Sequence, residues 1–244
     1  RILHTGDFRL HGFRGNKTVP MLQKYATDID CVICEATNLS RENTKMITER
    51  ELQNEARRIM GENKYVFVLC SSTNIDRIAS FNHANPRGRL FICDMYQKKQ
   101  LETVMENHKA YSKLYDLRYV CNYAPNLDEL MDKKGFCMII RQNQKFGQLM
   151  KRYKDKSIVI YSMWSGYLKG ETGNTELAEF LKDYNVIHLH TSGHATVQDL
   201  VELYNTVKPK KGLIPIHSEI PEKFVRLLPK EKILLLEDGK ELLV

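Results

Sequence analysis

The sequence predicts an α/β protein, with a largely buried sheet and helices packed against it. Three observations support this class. Short apolar runs alternate with longer amphipathic stretches along all 244 residues, which is typical of strands covered by helices. The composition, 42% hydrophobic and 27% charged, is that of an ordinary globular protein. The length allows one large domain or two small ones.

The order of the predicted elements follows from this alternation. The apolar runs predict strands at 1–8, 31–36, 65–70, 89–94, 136–141, 157–162, 185–190, 212–217 and 232–237. The amphipathic stretches predict helices at 48–60, 74–84, 97–107, 143–153, 175–184 and 196–207. Polar stretches at 38–48 and 166–174 suggest a central region inserted into an outer one.

Composition and charge narrow the class of protein further. No apolar run approaches the roughly 18 residues of a membrane span, and no signal-peptide pattern is present, so we expect a cytoplasmic protein without a membrane partner. The chain starts at Arg1 inside a predicted strand, which suggests a piece of a longer protein. The net charge of +7 favours a polyanionic partner. A basic, solvated surface explains the charge equally well.

The six cysteines are scattered along the chain, and most of them lie within apolar runs. Cys31 and Cys34 form a CxxC pair, but no second pair follows at zinc-finger spacing. We therefore predict that the two thiols are buried in a strand, and we expect no disulfide framework.

Asp7, in the segment HTGDFR, follows the first predicted strand. A carboxylate at a strand end can face a cleft and bind a divalent cation, although such an aspartate more often caps a turn. His217 ends the apolar run GLIPIH and lies at a similar strand end. It can reach a metal or a ligand, although a structural role is the better explanation of this residue taken alone.

The segment HLHTSGHAT places three histidines directly before a predicted helix. His188 and His190 would share one face of a strand, and we interpret His188 as a strand residue. Ser192 and its neighbours offer hydroxyl and N–H groups to a phosphate at the start of the helix. His194 could then protonate a leaving oxygen as a general acid.

The segment SSTNIDR follows a predicted strand and opens a helix. Its polar residues are good N-caps, which is the simplest interpretation. The same geometry binds anions, so the segment also yields a candidate phosphate- or RNA-binding set. This set comprises Ser71, Ser72, Asn74 and Arg77.

Taken in order, these segments resemble the β-CASP branch of the metallo-β-lactamase superfamily, and ribonuclease J-like proteins in particular. The resemblance implies the C-terminal portion of a metallo-β-lactamase αββα fold with an inserted α/β β-CASP domain. It implies core residues 1–45, a β-CASP insertion at 46–185, and a return to the core at 186–244 with an RNA-specificity-like segment.

The same resemblance implies residue roles. Asp7 would bridge two divalent ions, zinc in most of the family, and His217 would be a further metal ligand. Glu35, in CEATN, would act in catalysis by fixing a histidine tautomer. His194 would bind the phosphate and help to protonate the leaving group, together with Ser192 and His190. The family's HxHxDH motif is absent from this sequence, so we expect this chain alone to bind zinc weakly and to cleave nothing.

The function implied for the parent protein is metal-dependent hydrolysis of single-stranded RNA in processing or decay. A non-catalytic RNA-binding or assembly module and a hydrolase of a small-molecule ester are the alternatives, and a homodimer is left open. The basic stretch 133–156 would bind the RNA backbone, unless it is only a solvated helix face. The aromatic residues that could stack on bases, unless they only pack, are Tyr153, Tyr161, Trp164 and Tyr167.

Overall fold

The computed structural model of the protein describes residues 1–40, 46–107, 113–171, 173, 175–237 and 239–243. Its elements confirm the predicted α/β class. In chain order they are β1 (Ile2–His4), α1 (Thr18–Tyr25), β2 (Cys31–Glu35), α2 (Glu49–Glu62), β3 (Tyr65–Leu69), α3 (Ile75–Ala84), β4 (Leu90–Cys93), α4 (Met95–Asn107), β5 (Cys121–Asn122), α5 (Asp128–Lys134), β6 (Phe136–Ile140), α6 (Gln144–Lys151), β7 (Ser157–Tyr161), α7 (Glu176–Leu181), β8 (Val186–His188), α8 (Val197–Val207) and β9 (Gly212–Ile216).

The chain divides into two compact units. Unit 1 comprises residues 1–48 and 192–244, and unit 2 comprises residues 49–191. The boundaries predicted from sequence, at 45/46 and 185/186, lie slightly earlier in the chain. The assignment of the units to a metallo-β-lactamase core and a β-CASP insertion stays a prediction.

Unit 1 is built on a three-stranded parallel sheet with the order β1-β2-β9. The central strand β2 is almost entirely buried, and α1 and α8 contribute apolar residues such as Leu22 and Leu200 to the same core. Cys31 and Cys34 are both buried in β2, and burial raises the pKa of Cys34 to about 12. These features confirm the structural interpretation of the CxxC pair.

Unit 2 contains a six-stranded parallel sheet with the order β5-β4-β6-β3-β7-β8. Every residue of β3, β6 and β7 is buried, as expected for strands covered on both faces. Four aromatic rings, those of Tyr65, Phe67, Phe136 and Tyr153, pack together with centroids between 4.9 and 6.2 Å apart.

The strand predicted at 232–237 is wrong. Residues Lys230–Lys232 form a short 3-10 helix, and Ile233 makes an isolated bridge to Leu213. Leu235 and Leu236 are exposed, so this apolar run does not continue as a buried strand. Among the described residues, none of the helices has the length and the apolar character that a transmembrane span needs.

Candidate metal and phosphate site

The candidate site lies in unit 1, where the three parallel strands end. Asp7 lies in the loop after β1, Glu35 is the last residue of β2, and His217 directly follows β9. Because the strands are parallel, their carboxyl ends lie at the same edge of the sheet. Ligand sites in α/β proteins lie at this edge.

His217 adopts an unusual backbone conformation, with a φ of 52°. Residues other than glycine rarely adopt a positive φ, and such conformations cluster at functional sites. His217 Nδ1 lies 3.2 Å from Asp7 Oδ1. The strained backbone at His217 therefore lies where the side chains of the two predicted metal ligands contact each other.

His194 lies in the loop that leads into α8. A capping box between Thr196 and Asp199 fixes the start of this helix. His194 Nδ1 lies 3.2 Å from Glu35 Oε2 and 4.0 Å from Asp7 Oδ1. Its ring lies 5.2 Å from that of His217, at 76° to it. The structure thus brings His194 together with both residues predicted as metal ligands.

Glu35 is almost completely buried, with 1% of its surface exposed. Its carboxylate accepts hydrogen bonds from the backbone N–H groups of Ala195 at 2.9 Å, Phe8 at 3.3 Å and Thr37 at 3.3 Å. Burial raises the pKa of Glu35, but the hydrogen bonds from His194 and Ala195 outweigh burial and hold the pKa below its ordinary value. The Glu35 carboxylate is therefore charged where it contacts Nδ1 of His194.

Ligand atoms of Asp7, His194 and His217 all lie within 4.8 Å of one another. One carboxylate oxygen and two imidazole nitrogens form a donor set that suits zinc. The three side chains also come from three separate loops that rigid elements hold in place. The residues present therefore fit a divalent metal ion.

The sequence did not single out two further residues of this site, Thr37 and Asn38. Thr37 Oγ1 lies 3.3 Å from Nδ1 of both His194 and His217. The buried Asn38 donates from Nδ2 to the backbone oxygens of His194 and Ala195. The sequence feature that could have identified them is the pair of polar residues that begins two positions after Glu35, the last residue of β2.

Ser192 and His190, predicted to contact phosphate, have different surroundings. Ser192 is buried in unit 1, and its Oγ accepts a hydrogen bond from His194 N at 3.1 Å. His190 lies in unit 2 and is half-buried. Burial, together with the positive charge of Arg77, lowers the pKa of His190 to about 4.

The segment SSTNIDR forms the start of α3, as its capping interpretation requires. The Asn74 side chain accepts a hydrogen bond from Arg77 N at 3.2 Å, and Ser71 is exposed beside Thr73. Ser72 is half-buried, and its backbone oxygen accepts from Gln97. These contacts do not test whether Ser71, Ser72 and Asn74 bind phosphate, so that role stays a prediction.

Arg77 is not placed as a phosphate donor. Its side chain is fully buried. The guanidinium lies 2.7 Å from Glu49 Oε1, 2.6 Å from Ser162 Oγ and 3.0 Å from Thr191 O. Because burial and these bonds occupy all three guanidinium nitrogens, we remove Arg77 from the candidate phosphate ligands.

The basic stretch 133–156 contains cations of two kinds. Four of them have an acidic partner: Arg141 with Asp94, Arg152 with Asp128, Lys154 with Asp183 and Lys156 with Asp132. The other four are exposed lysines: Lys133, Lys134, Lys145 and Lys151.

Tyr153 and Tyr161 are fully buried, so the expectation that they stack on bases is wrong.

One protein-family model matches part of the chain. Residues 183–233 match the family model of RMMBL, the Zn-dependent metallo-hydrolase RNA specificity domain. The matched segment contains both His194 and His217. The match is confined to these residues and likens this segment to the RNA specificity domain of zinc-dependent metallo-hydrolases. No curated protein matches the chain.

A solved structure shows a similar fold. It is the crystal structure of a protein of unknown function from Enterococcus faecalis V583, similar with a TM-score of 0.67 and 22% sequence identity. The match covers 98% of this chain and 57% of that protein, so this chain spans little more than half the length of its structural relative. At this identity the likeness shows the fold alone.

Proposed function

We propose that the protein to which this chain belongs is a zinc-dependent phosphodiester hydrolase of single-stranded RNA that acts in RNA processing or decay in the cytoplasm. One observation carries the proposal. Asp7, His194 and His217 meet at one sheet edge, and two of the three lie in the segment that matches an RNA specificity domain.

Each residue has a chemical role in this proposal. Asp7 and His217 would hold a divalent ion, which would supply Lewis acidity and an activated water. Glu35 accepts from Nδ1 of His194 and so fixes the tautomer of that ring. His194 Nε2 is then left to contact a phosphate oxygen, or to pass a proton to the leaving group when the ring is charged.

Zinc titration tests the metal half of the proposal. His217→Ala removes a ligand, and we expect its zinc affinity to fall at least tenfold. Glu35→Gln leaves Asp7 and His217 in place and removes only the charge beside His194, so we expect it to lower RNA hydrolysis by the full-length protein more than it lowers zinc affinity. Glu219→Gln, an exposed acid two residues from His217, is the matched control and should behave as wild type. Unchanged zinc affinity in His217→Ala would remove this residue from the site.

RNA hydrolysis by the full-length protein tests the catalytic half. We expect cleavage of single-stranded RNA that a chelator abolishes, and no cleavage by the His217→Ala variant. A non-catalytic RNA-binding module is the second candidate, because the sequence contains no HxHxDH motif. If the full-length protein binds RNA but does not cleave it in a metal-dependent manner, the non-catalytic RNA-binding module is the correct function.

A further inference from the structure

The six-stranded sheet of unit 2 has a topological switch point between β6 and β3. From β3 the chain crosses through α3 past β6 to β4, and from β6 it crosses through α6 past β3 to β7. The two neighbouring strands therefore lead their chains in opposite directions, the arrangement that forms a crevice at the carboxyl ends of strands in open α/β sheets. Open α/β sheets bind ligands in such crevices.

An arginine and a tyrosine stack on each other at this edge. Arg141 directly follows β6, and Tyr96 lies in the first turn of α4, which follows β4. The Arg141 guanidinium lies 4.5 Å from the centroid of the Tyr96 ring, and an ion pair with Asp94 holds it there. Tyr96 is 48% exposed, so much of this cationic and aromatic face is open to solvent.

Gln97 supplies a buried polar group at the same place. The residue is 1% exposed, and its Nε2 donates to Ser72 O at 3.0 Å. The side chain therefore reaches the loop between β3 and α3, at the mouth of the crevice. Within the described part of the chain, Gln97 Oε1 and Arg141 Nε are buried without a hydrogen-bond partner. Buried polar atoms of this kind require a partner, such as an ordered water or a bound ligand.

We propose that this crevice is a nucleotide-binding subsite, separate from the metal site and formed by Tyr96, Gln97 and Arg141. A base stacks on the exposed Tyr96–Arg141 face, since every base presents a π-face and aromatic and guanidinium planes bind it. Gln97 Oε1 accepts a hydrogen bond from a base amine or a ribose hydroxyl. The choice of an RNA strand as ligand rests on the proposed function.

The experiment measures binding of the chain to a fluorescein-labelled single-stranded RNA by anisotropy, and to adenosine monophosphate by calorimetry. Tyr96→Ala and Arg141→Met should each weaken RNA binding by at least about fivefold, the lower range for loss of one stacked base. Tyr96→Phe keeps the ring and should retain the affinity. Gln97→Met keeps the shape but removes the acceptor, and should weaken binding less than loss of the ring does.

A matched control exists in the same unit. Tyr119 is 83% exposed and lies under Arg118, which pairs with Asp116. This trio repeats the chemistry of Tyr96, Arg141 and Asp94, but it precedes β5 instead of following a strand. Tyr119→Ala should therefore leave RNA affinity unchanged. Thermal melting of each variant checks that it is folded.

The outcomes separate this inference from the proposed function. If RNA binds and Tyr96→Ala matches Tyr119→Ala, the subsite is wrong while the RNA partner stands. If RNA does not bind but adenosine monophosphate binds in a Tyr96-dependent manner, the subsite takes free nucleotides and the RNA function is wrong. If neither ligand binds, both proposals are wrong.

Discussion

At the residue scale, two neighbouring histidines of unit 2 have different surroundings, His188 at the end of β8 and His190 two residues after it. His188 is exposed, and its Nε2 contacts Met163 O at 2.9 Å. The His190 ring stacks at 6.0 Å from that of His188, and its Nδ1 lies 3.3 Å from an Arg77 nitrogen. Burial and this neighbouring cation keep His190 neutral, which links its protonation to folding.

His190 should therefore make the stability of the chain depend on pH. The folded-state pKa is about 4, below the ordinary value of 6.5, so the unfolded chain binds more protons between these values. The free energy of unfolding should fall as the pH drops from 6.5 to 4. Below pH 4, titration of His190 should cause no further fall. Urea unfolding of wild type and His190→Asn across this range measures the difference. Equal pH dependence in both proteins would contradict a neutral His190 in the folded chain.

At the scale of elements, a buried ion pair connects two helices and a strand of unit 2. Glu49 is the first residue of α2, Arg77 lies in α3, and Ser162 directly follows β7. The Arg77–Glu49 pair is fully buried, and Ser80 Oγ donates to Glu49 Oε1 at 2.9 Å. Loss of one partner would leave the other charge buried and unpaired.

Arg77→Met should therefore destabilise the protein by about 3–5 kcal/mol, whereas the double variant Glu49→Leu/Arg77→Met should cost much less because neither charge stays buried. Urea unfolding monitored by circular dichroism gives both values. Arg118→Met, which breaks an exposed ion pair, is the control, with an expected cost below about 1 kcal/mol. An equal cost for Arg77→Met and Arg118→Met would contradict the structural role of Arg77.

The elements also show what the sequence could and could not predict. Runs such as Tyr65–Leu69 and Phe136–Ile140 were predictable because both faces of these strands are buried. The sequence did not single out α1, α5 and β5, since these elements are short and combine few apolar residues with polar ones.

The residues of the candidate site also include some that the sequence could predict and some that it could not. Asp7 and His217 stand at strand ends, so their convergence follows once the strands pair in parallel. The contacts of Thr37 and the burial of Arg77 depend on how distant loops pack. Local pattern carries no information on such packing, and a polar helix start looks the same whether it binds an anion or buries an ion pair.

At the scale of the whole molecule, the chain has a net charge of +7, and its described cations include some with a carboxylate partner and some without one. In the stretch 133–156, Lys154 and Lys156 lie 3.7 Å from aspartates, whereas Lys145 and Lys151 are exposed lysines of α6. A bound phosphate strand releases counterions in proportion to the cations it contacts. Unpaired lysines should therefore contribute most to this release.

Binding of single-stranded RNA should thus weaken linearly on a plot of log affinity against log salt concentration. Each phosphate contact contributes a slope of about −0.7. Lys145→Gln/Lys151→Gln should make the slope shallower by up to about 1.4, the value for two lost contacts. The matched double variant Lys154→Gln/Lys156→Gln should change it less, because aspartates already neutralise these two lysines. Anisotropy titrations over a salt series measure all three slopes. A slope unaffected by loss of Lys145 and Lys151 would place the RNA-binding face outside this stretch.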